Sequence, residues 1–171
     1  MSRHIEIKQA TAEDIPLIEG ILLNAIEWLA ATGGMRVWTK EQVTWTALAK
    51  DYKVEDFFIA YLEGLPAGCI SLWDYDPFFW PEVPPGESLF LHKLAVVQAA
   101  RKTGVSTALM DYFKEAGRAR GMTRVLLETN GRNPKQRQFY EEQGFTLLKE
   151  QTVLHPSGRE GFHAYYAYYL R

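Results

Sequence analysis

A chain of 171 residues that is 47% hydrophobic and 23% charged carries enough apolar side chain for one globular core of ordinary composition. Its net charge of −2 lacks the basic excess that nucleic-acid binding requires, and its single cysteine, Cys69, excludes an intrachain disulfide and a thiolate zinc cluster. No apolar leader opens the sequence and no run approaches membrane-spanning length, so a reducing cytoplasm is the expected compartment, with neither membrane nor nucleic acid as partner.

Ile5 and Ile7 alternate with Glu6 and Lys8 as a first short strand. Thr11-Ala12-Glu13-Asp14 forms a capping-box pattern ahead of a helix whose apolar face is Ile15, Ile18, Leu22, Ile26 and Leu29, ended by Gly33-Gly34. Thr39 with Gln42 signals a second helix reaching about Lys50. Phe57–Leu62 and Ala67–Trp73 read as a hairpin turning at Glu63-Gly64. From Asp74 to Gly86 the pattern breaks: four of the eight prolines (Pro77, Pro81, Pro84, Pro85) stand here among Phe78, Phe79 and Trp80, which predicts an ordered loop.

Glu87–Val97 is the expected central strand, followed by the turn Arg101-Lys102-Thr103-Gly104-Val105-Ser106. A helix follows directly, with Val105, Ala108, Leu109, Tyr112, Phe113 and Ala116 on one face and Gly121 at its end. Thr123–Glu128 is a strand, Pro134 opens a helix, Phe145–Val153 is a strand, and Phe162–Leu170 follows the turn His155-Pro156-Ser157-Gly158. The order β-α-α-β-β-β-α-β-α-β-β predicts a single mixed α/β domain over residues 1–171, with a mostly antiparallel sheet and one parallel crossover through the helix at 105–120.

A strand feeding a glycine turn at a helix start leaves backbone N–H groups aimed one way, reinforced by the helix dipole, and such a turn can hold a pyrophosphate. Charge agrees: residues 101–137 hold nine Arg or Lys against Asp111, Glu115 and Glu128, a net of +6, so the remainder carries −8.

These residues resemble the GNAT superfamily of acyl-CoA-dependent N-acetyltransferases. Its turn motif (Arg or Gln, two residues, Gly, one residue, Gly or Ala) is matched by Arg101 to Ser106, with Ser106 departing at the last small residue. Asn133, Tyr140 seven residues later, and Gly144-Phe145 match its second hallmark. The resemblance implies about seven strands and four helices, with splayed central strands forming an acyl-CoA cleft. It implies that Arg101, Lys102, Thr103, Gly104, Val105 and Ser106 hold the pyrophosphate of acetyl-CoA, the acyl donor, and that Leu94, Ala95 and Val96 line the pantetheine arm. Asn133 would bond that arm and Tyr140 would sit beside the sulfur. The segment Leu91–Val96 also resembles the strand of arylalkylamine N-acetyltransferases in which a histidine takes up a proton through water. No metal is expected, and a homodimer is compatible with the resemblance.

Acyl transfer needs a neutral amine, and baring the lone pair of an alkylammonium at pH 7 costs about 4–5 kcal/mol. His92 and Glu87 are the candidate proton acceptors on the central strand, the Leu94 N–H the candidate oxyanion donor, and Tyr140 the candidate donor to the departing thiolate. Each has a plainer reading beside it: Tyr140 as packing, His92 as a satisfied strand histidine, Asn133 as a helix cap, Glu87 as a solvated acid. Cys69 reads as an inert buried thiol, which favours direct transfer over a covalent intermediate. His4, His155 and His163 show no ligand spacing and receive no role.

Acceptor selection is expected in the first two helices, their linker Met35-Arg36-Val37-Trp38, and the proline-rich loop. Asp74, Asp76, Glu82 and Glu87 with Trp73, Phe78, Phe79 and Trp80 suggest a pocket for the cation of a small amine; the competing reading is that the aromatics pin the loop to the core. A protein or peptide acceptor, or an acyl-CoA-binding module without turnover, are the alternative functions.

Overall fold

The computed structural model describes all residues except 1–2 and 35–37. Its elements run β1 (Ile5–Gln9), α1 (Ile15–Ala31), α2 (Trp45–Leu48), β2 (Phe57–Leu62), β3 (Leu65–Trp73), β4 (Leu89–Val96), α3 (Val105–Ala119), β5 (Arg124–Asn130), α4 (Pro134–Glu142), β6 (Thr146–Leu154) and β7 (Glu160–Tyr169). The seven strands form one mixed sheet in the order β1-β2-β3-β4-β5-β7-β6. β4 pairs parallel with β5, joined to it through α3 as the crossover rule requires, and their register comprises Leu89↔Val125 and Phe90↔Leu126.

The element order is the expected one; the second helix is not as expected. Thr39 and Gln42 do form reciprocal capping bonds (2.9 and 3.3 Å). The chain then makes only a 3₁₀ turn, Glu41–Val43, before Thr44 caps the one-turn α2. Thr44 is extended and its side chain accepts from the Ala47 N–H, so a second cap three residues into the run divides the helix that periodicity predicted.

The chain packs as two compact units. One comprises residues 1–72 and 92–112, the other residues 73–91 and 113–171. In the first, Ile18, Ile21, Leu22 and Ile26 of α1 pack with Phe57, Ile59, Cys69 and Ala95. In the second, Trp80 and Val83 of the proline-rich loop are buried with Phe90, Leu126, Tyr165 and Ala167. That core settles the reading of the loop: Trp80 is 2% exposed, and Trp73 and Phe79 pack beside it, so these aromatics anchor the loop. Phe78 stays exposed.

Candidate acyl-transfer site

Lys102 and Gly104 both have positive φ (61° and 94°), which bends the chain between the extended Arg101 and the first turn of α3. The Thr103 hydroxyl bonds the Ala100 carbonyl and Ala108 donates to the Gly104 carbonyl (2.9 Å), so the turn is tied down at both ends. Among the described residues, the backbone N–H groups of Lys102, Thr103, Gly104, Val105 and Ser106 donate to no protein acceptor. Five amides at the start of a 15-residue helix are thus available to an anion. Arg101 does not point its charge there: its guanidinium lies 3.6 Å from the centroid of the Trp28 ring, and burial lowers its pKa.

On β4, Lys93 has φ +53° in mid-strand. The kink breaks the alternation that would place His92 and Lys93 on opposite faces. The His92 ring meets Tyr52 edge-on (centroids 6.1 Å apart), and the Lys93 ammonium lies over the same Tyr52 ring (5.3 Å) and over Trp38 (4.7 Å). The Cys69 thiol donates to the Lys93 carbonyl (3.6 Å), and complete burial pushes it up to about 12, the state of an unreactive thiol.

Glu87 is not a solvated acid. Its carboxylate accepts from Arg124 Nε (3.2 Å) and from the Ser88 hydroxyl (2.7 Å). The other acids of the loop are similarly engaged: Asp76 is buried and accepts from the Phe79 N–H (3.1 Å), and Glu82 pairs with Lys149 (3.5 Å). The expected cluster of acids awaiting a cation is mostly dispersed into structural bonds, and Asp74 is left exposed. In the linker expected to select the acceptor, Met35, Arg36 and Val37 lie outside the described residues.

In the second unit, Asn133 caps α4: it is extended, its side chain accepts from the Gln136 N–H (3.2 Å), and Pro134 follows at the first helical position. In the last turn of the helix, Tyr140 is buried among Phe139, Phe145 and Tyr166 (centroids 5.3, 6.4 and 6.3 Å). Burial, with a smaller contribution from the Glu128 carboxylate, raises its pKa, so the phenol keeps its proton throughout the working range of pH. Gly144 (φ +90°) then turns the chain, and the Phe145 N–H returns to the Tyr140 carbonyl (3.1 Å).

The family model for the "Acetyltransferase (GNAT) family" matches residues 23–145, a span that takes in the turn, the cap and Tyr140. The chain belongs to the acetyltransferase (GNAT) family. That membership gives the family alone and leaves the donor, the reaction and the acceptor to be argued from this chain's own residues. A segment of 67 residues is 37% identical to mycothiol acetyltransferase from Beutenbergia cavernae, spanning 39% of this chain and 23% of that relative. The fold matches an acetyltransferase of the GNAT family from Listeria monocytogenes (TM-score 0.71, 15% identity, 97% of this chain and 95% of that one). It also matches N-acetylglutamate synthase from Neisseria gonorrhoeae complexed with coenzyme A and N-acetyl-glutamate (TM-score 0.66, 19% identity, all of this chain and 36% of that one). No helix among the described residues is long and apolar enough to cross a membrane.

Sequence reasoning missed one constellation. Glu128, His163 and His155 form a continuous chain of hydrogen bonds: His163 Nδ1 lies 2.7 Å from Glu128 Oε2, and the two histidine Nε2 atoms lie 3.1 Å apart. The signal available was the turn at residues 155–158, which predicts a hairpin and so brings residues on either side of it together.

Proposed function

We propose that the protein transfers the acetyl group of acetyl-CoA directly to a primary amine of a small molecule within a ternary complex. The observation that carries the reading is the set of unspent amides from Lys102 to Ser106 at the head of α3. They would grip the diphosphate, with the Ser106 hydroxyl beside them as a further donor. The backbone of Leu94, Ala95 and Val96 would pair with the pantetheine arm, and the Leu94 N–H would stabilise the tetrahedral oxyanion. Asn133 would reach the same arm with its amide N–H while its side-chain oxygen continues to cap α4.

Tyr140 would serve the leaving thiolate. A thiol of pKa about 8.5 is a weaker base than an ordinary tyrosinate, and burial raises the phenol further, each pKa unit representing about 1.4 kcal/mol. The phenol therefore stabilises the thiolate chiefly by donating a short hydrogen bond, with complete proton transfer left to solvent. Cys69, buried and held protonated, supports direct attack over an acyl-enzyme. Of the two candidate proton acceptors on or beside β4, Glu87 is engaged by Arg124 and Ser88, and His92 meets the Tyr52 ring edge-on.

The small-amine reading draws on Phe78 and Tyr75, exposed in a loop whose Phe79 and Trp80 are anchored, as apolar contacts for an acceptor. Turnover of acetyl-CoA with tryptamine, phenethylamine and spermidine, against alcohols and carboxylic acids, tests it. Acetylation of at least one amine and of no alcohol is expected. Acetylation only of peptide N-termini would replace the small-molecule reading with a protein acceptor.

A further inference from the structure

The side chains on the two faces of β5 diverge in chemistry. Leu127 and Thr129 face α4: the Thr129 hydroxyl donates to Gln136 (2.8 Å), Leu127 stands opposite Tyr166, and the Tyr166 hydroxyl donates to Glu141 (2.8 Å). Tyr140 packs on that face, against Tyr166. Strand alternation puts Leu126, Glu128 and Asn130 on the reverse face, opposite Ala167, Tyr165 and His163 of β7. The acid proposed for the leaving sulfur thus lies on one face of the sheet, and the Glu128–His163–His155 chain on the other. The attacking nitrogen and the departing sulfur are separate atoms of the tetrahedral intermediate, so the group that takes the amine proton need not share a face with the group that serves the sulfur.

One set of tautomers satisfies both contacts of that chain. In that set His163 Nδ1–H donates to Glu128 Oε2, which leaves a lone pair on His163 Nε2. His155 must then donate its Nε2–H across the 3.1 Å gap, and its Nδ1 becomes the basic end. The side chains of His163 and Glu128 are 14% and 18% exposed, and Phe79 packs on both imidazoles (5.0 and 6.1 Å) while the exposed Phe78 lies 5.5 Å from His155. A Cβ on Gly161 would fall 2.6 Å from His163 Nε2 and 3.0 Å from His155 Nε2, so the absence of a side chain there lets the rings meet. Because Glu128 engages one nitrogen of His163 and His155 the other, the three groups do not converge on a common point as metal ligands would.

We propose that His155, His163 and Glu128 form a proton relay that takes the proton of the acceptor ammonium. The proton enters at His155 Nδ1, the Nε2 proton of His155 passes to His163 Nε2, and the positive charge rests on the His163 imidazolium beside Glu128. The freed amine nitrogen attacks the acetyl carbonyl, the carbon–sulfur bond breaks, the attacking nitrogen gives its second proton to solvent as the amide forms, the thiolate takes a proton from solvent, and the relay returns the ammonium proton to solvent, a net release of one proton. The surrounding charges suit the task. Burial, then His163, with Arg159 as a smaller influence, hold His155 below the ordinary histidine value, opposed by Glu128, so it is neutral and receptive near pH 7. Tyr165 beside the relay and Tyr140 on the far face are both pushed up by burial and, less, by Glu128, so both remain neutral.

This proposal rests on the acetyl-transfer reading, and the experiment separates the two. The dependence of kcat/KM on pH, from about 5.5 to 9.5, is measured with tryptamine and spermidine for the wild type, H155A, H155Q, H163Q, E128Q, G161A and H92Q. Binding of acetyl-CoA is followed by thermal shift. The wild type is expected to lose activity as pH falls through the histidine range. H155A should lower kcat/KM by about 10²-fold, abolish that limb, leave acetyl-CoA binding intact and recover in part with added imidazole. E128Q should move the limb to lower pH, because the imidazolium loses its counter-charge. G161A, which keeps all three side chains but separates the rings, should lower kcat/KM by about 10-fold or more. Should H155A fail to fold, H155Q carries the same test at near-equal volume. The relay is overturned if the His155 and His163 variants stay within about twofold of the wild type, or if H92Q alone removes the limb. A wild type that binds acetyl-CoA and acetylates no amine overturns the function itself, and the relay with it.

Discussion

The turn at residues 101–106 and the Glu128–His163–His155 chain are built on opposite principles. The turn is six contiguous residues whose value lies in what they leave undone: five amides without acceptors among the described residues, held open by positive φ at Lys102 and Gly104. The chain of side chains draws on β5, β7 and the hairpin turn, and every bond in it is made. A site that grips an anion keeps donors in reserve, whereas a site that moves a proton must couple its donors and acceptors end to end. The two regions therefore respond differently to mutation, and the differences can be measured.

The largest expected effect is at Tyr140, where Tyr140→Phe removes one hydroxyl and leaves the packing against Phe139, Phe145 and Tyr166. We expect single-turnover acetyl transfer to fall about 10²-fold with acetyl-CoA affinity within about twofold of the wild type. Because burial raises the phenol's pKa, no tyrosine limb should appear in the wild-type profile up to pH 9. Combined with H155A, the two losses should multiply, since the residues occupy opposite faces of β5 and share no hydrogen bond. A double variant no worse than either single one would mean that the two act as one unit.

Next comes the turn. Gly104→Val places a β-branched residue at φ +94°, and the nearest atom to an added Cβ, Ile5 Cδ1, is 3.9 Å away, so the penalty is backbone strain rather than crowding. Strain of about 1–3 kcal/mol relieved by rotating the peptide would misaim the amides and raise the acetyl-CoA Kd about 10- to 100-fold by calorimetry. The imidazole NMR signals of His155 and His163 should not move. A shift in those signals would show that the two regions are coupled.

The contrast also explains what could be read in advance. The turn, the Asn133 cap and the element order were legible because each depends on residues close in sequence: Lys102 with Gly104, Asn133 with Pro134 and Gln136, Ile15 with Ile18 and Leu22. The partners of Glu87 and the Glu128–His163–His155 chain were not. Glu87 looked free until Arg124, 37 residues on, was found against it. His163 meets Glu128 across 35 residues through the β5–β7 register, and no periodicity within either strand announces that meeting. The short α2 failed for a local reason, a competing cap at Thr44. The kink at Lys93 had no glycine to mark it, since a lysine holds φ +53° there.

Asn133 allows its two proposed duties to be separated. Asn133→Ala should lower unfolding free energy by about 1 kcal/mol through loss of the cap to the Gln136 N–H. Asn133→Asp keeps an oxygen in the capping position and favours the helix dipole, so stability should hold within a few tenths of a kcal/mol. It lacks the amide N–H, however, and acetyl-CoA affinity should drop about 10-fold in both variants. If affinity follows stability instead, weakened by alanine and unchanged by aspartate, Asn133 is a cap alone and the coenzyme arm is held by the strand backbone.

The smallest expected effect is at Glu82, and its smallness is informative. The carboxylate pairs with Lys149 at 3.5 Å with both side chains well exposed (54% and 39%), so Glu82→Ala should change stability by no more than about 0.5 kcal/mol. Lys149 also lies 4.7 Å over the Tyr165 ring and 5.9 Å over Trp80, and these contacts survive the substitution. If acceptor recognition depended on a general negative field in the proline-rich loop, the KM for spermidine would rise several-fold while that for tryptamine changed little, because the polyamine carries more charge. We expect both to stay within about twofold. Asp76 is buried in its turn and Glu87 is held by Arg124, so Glu82 is one acid among several already committed to the protein's own bonds. A selective loss for spermidine would restore the loop as an electrostatic acceptor site and shift attention from the exposed Phe78 ring to its neighbouring carboxylates.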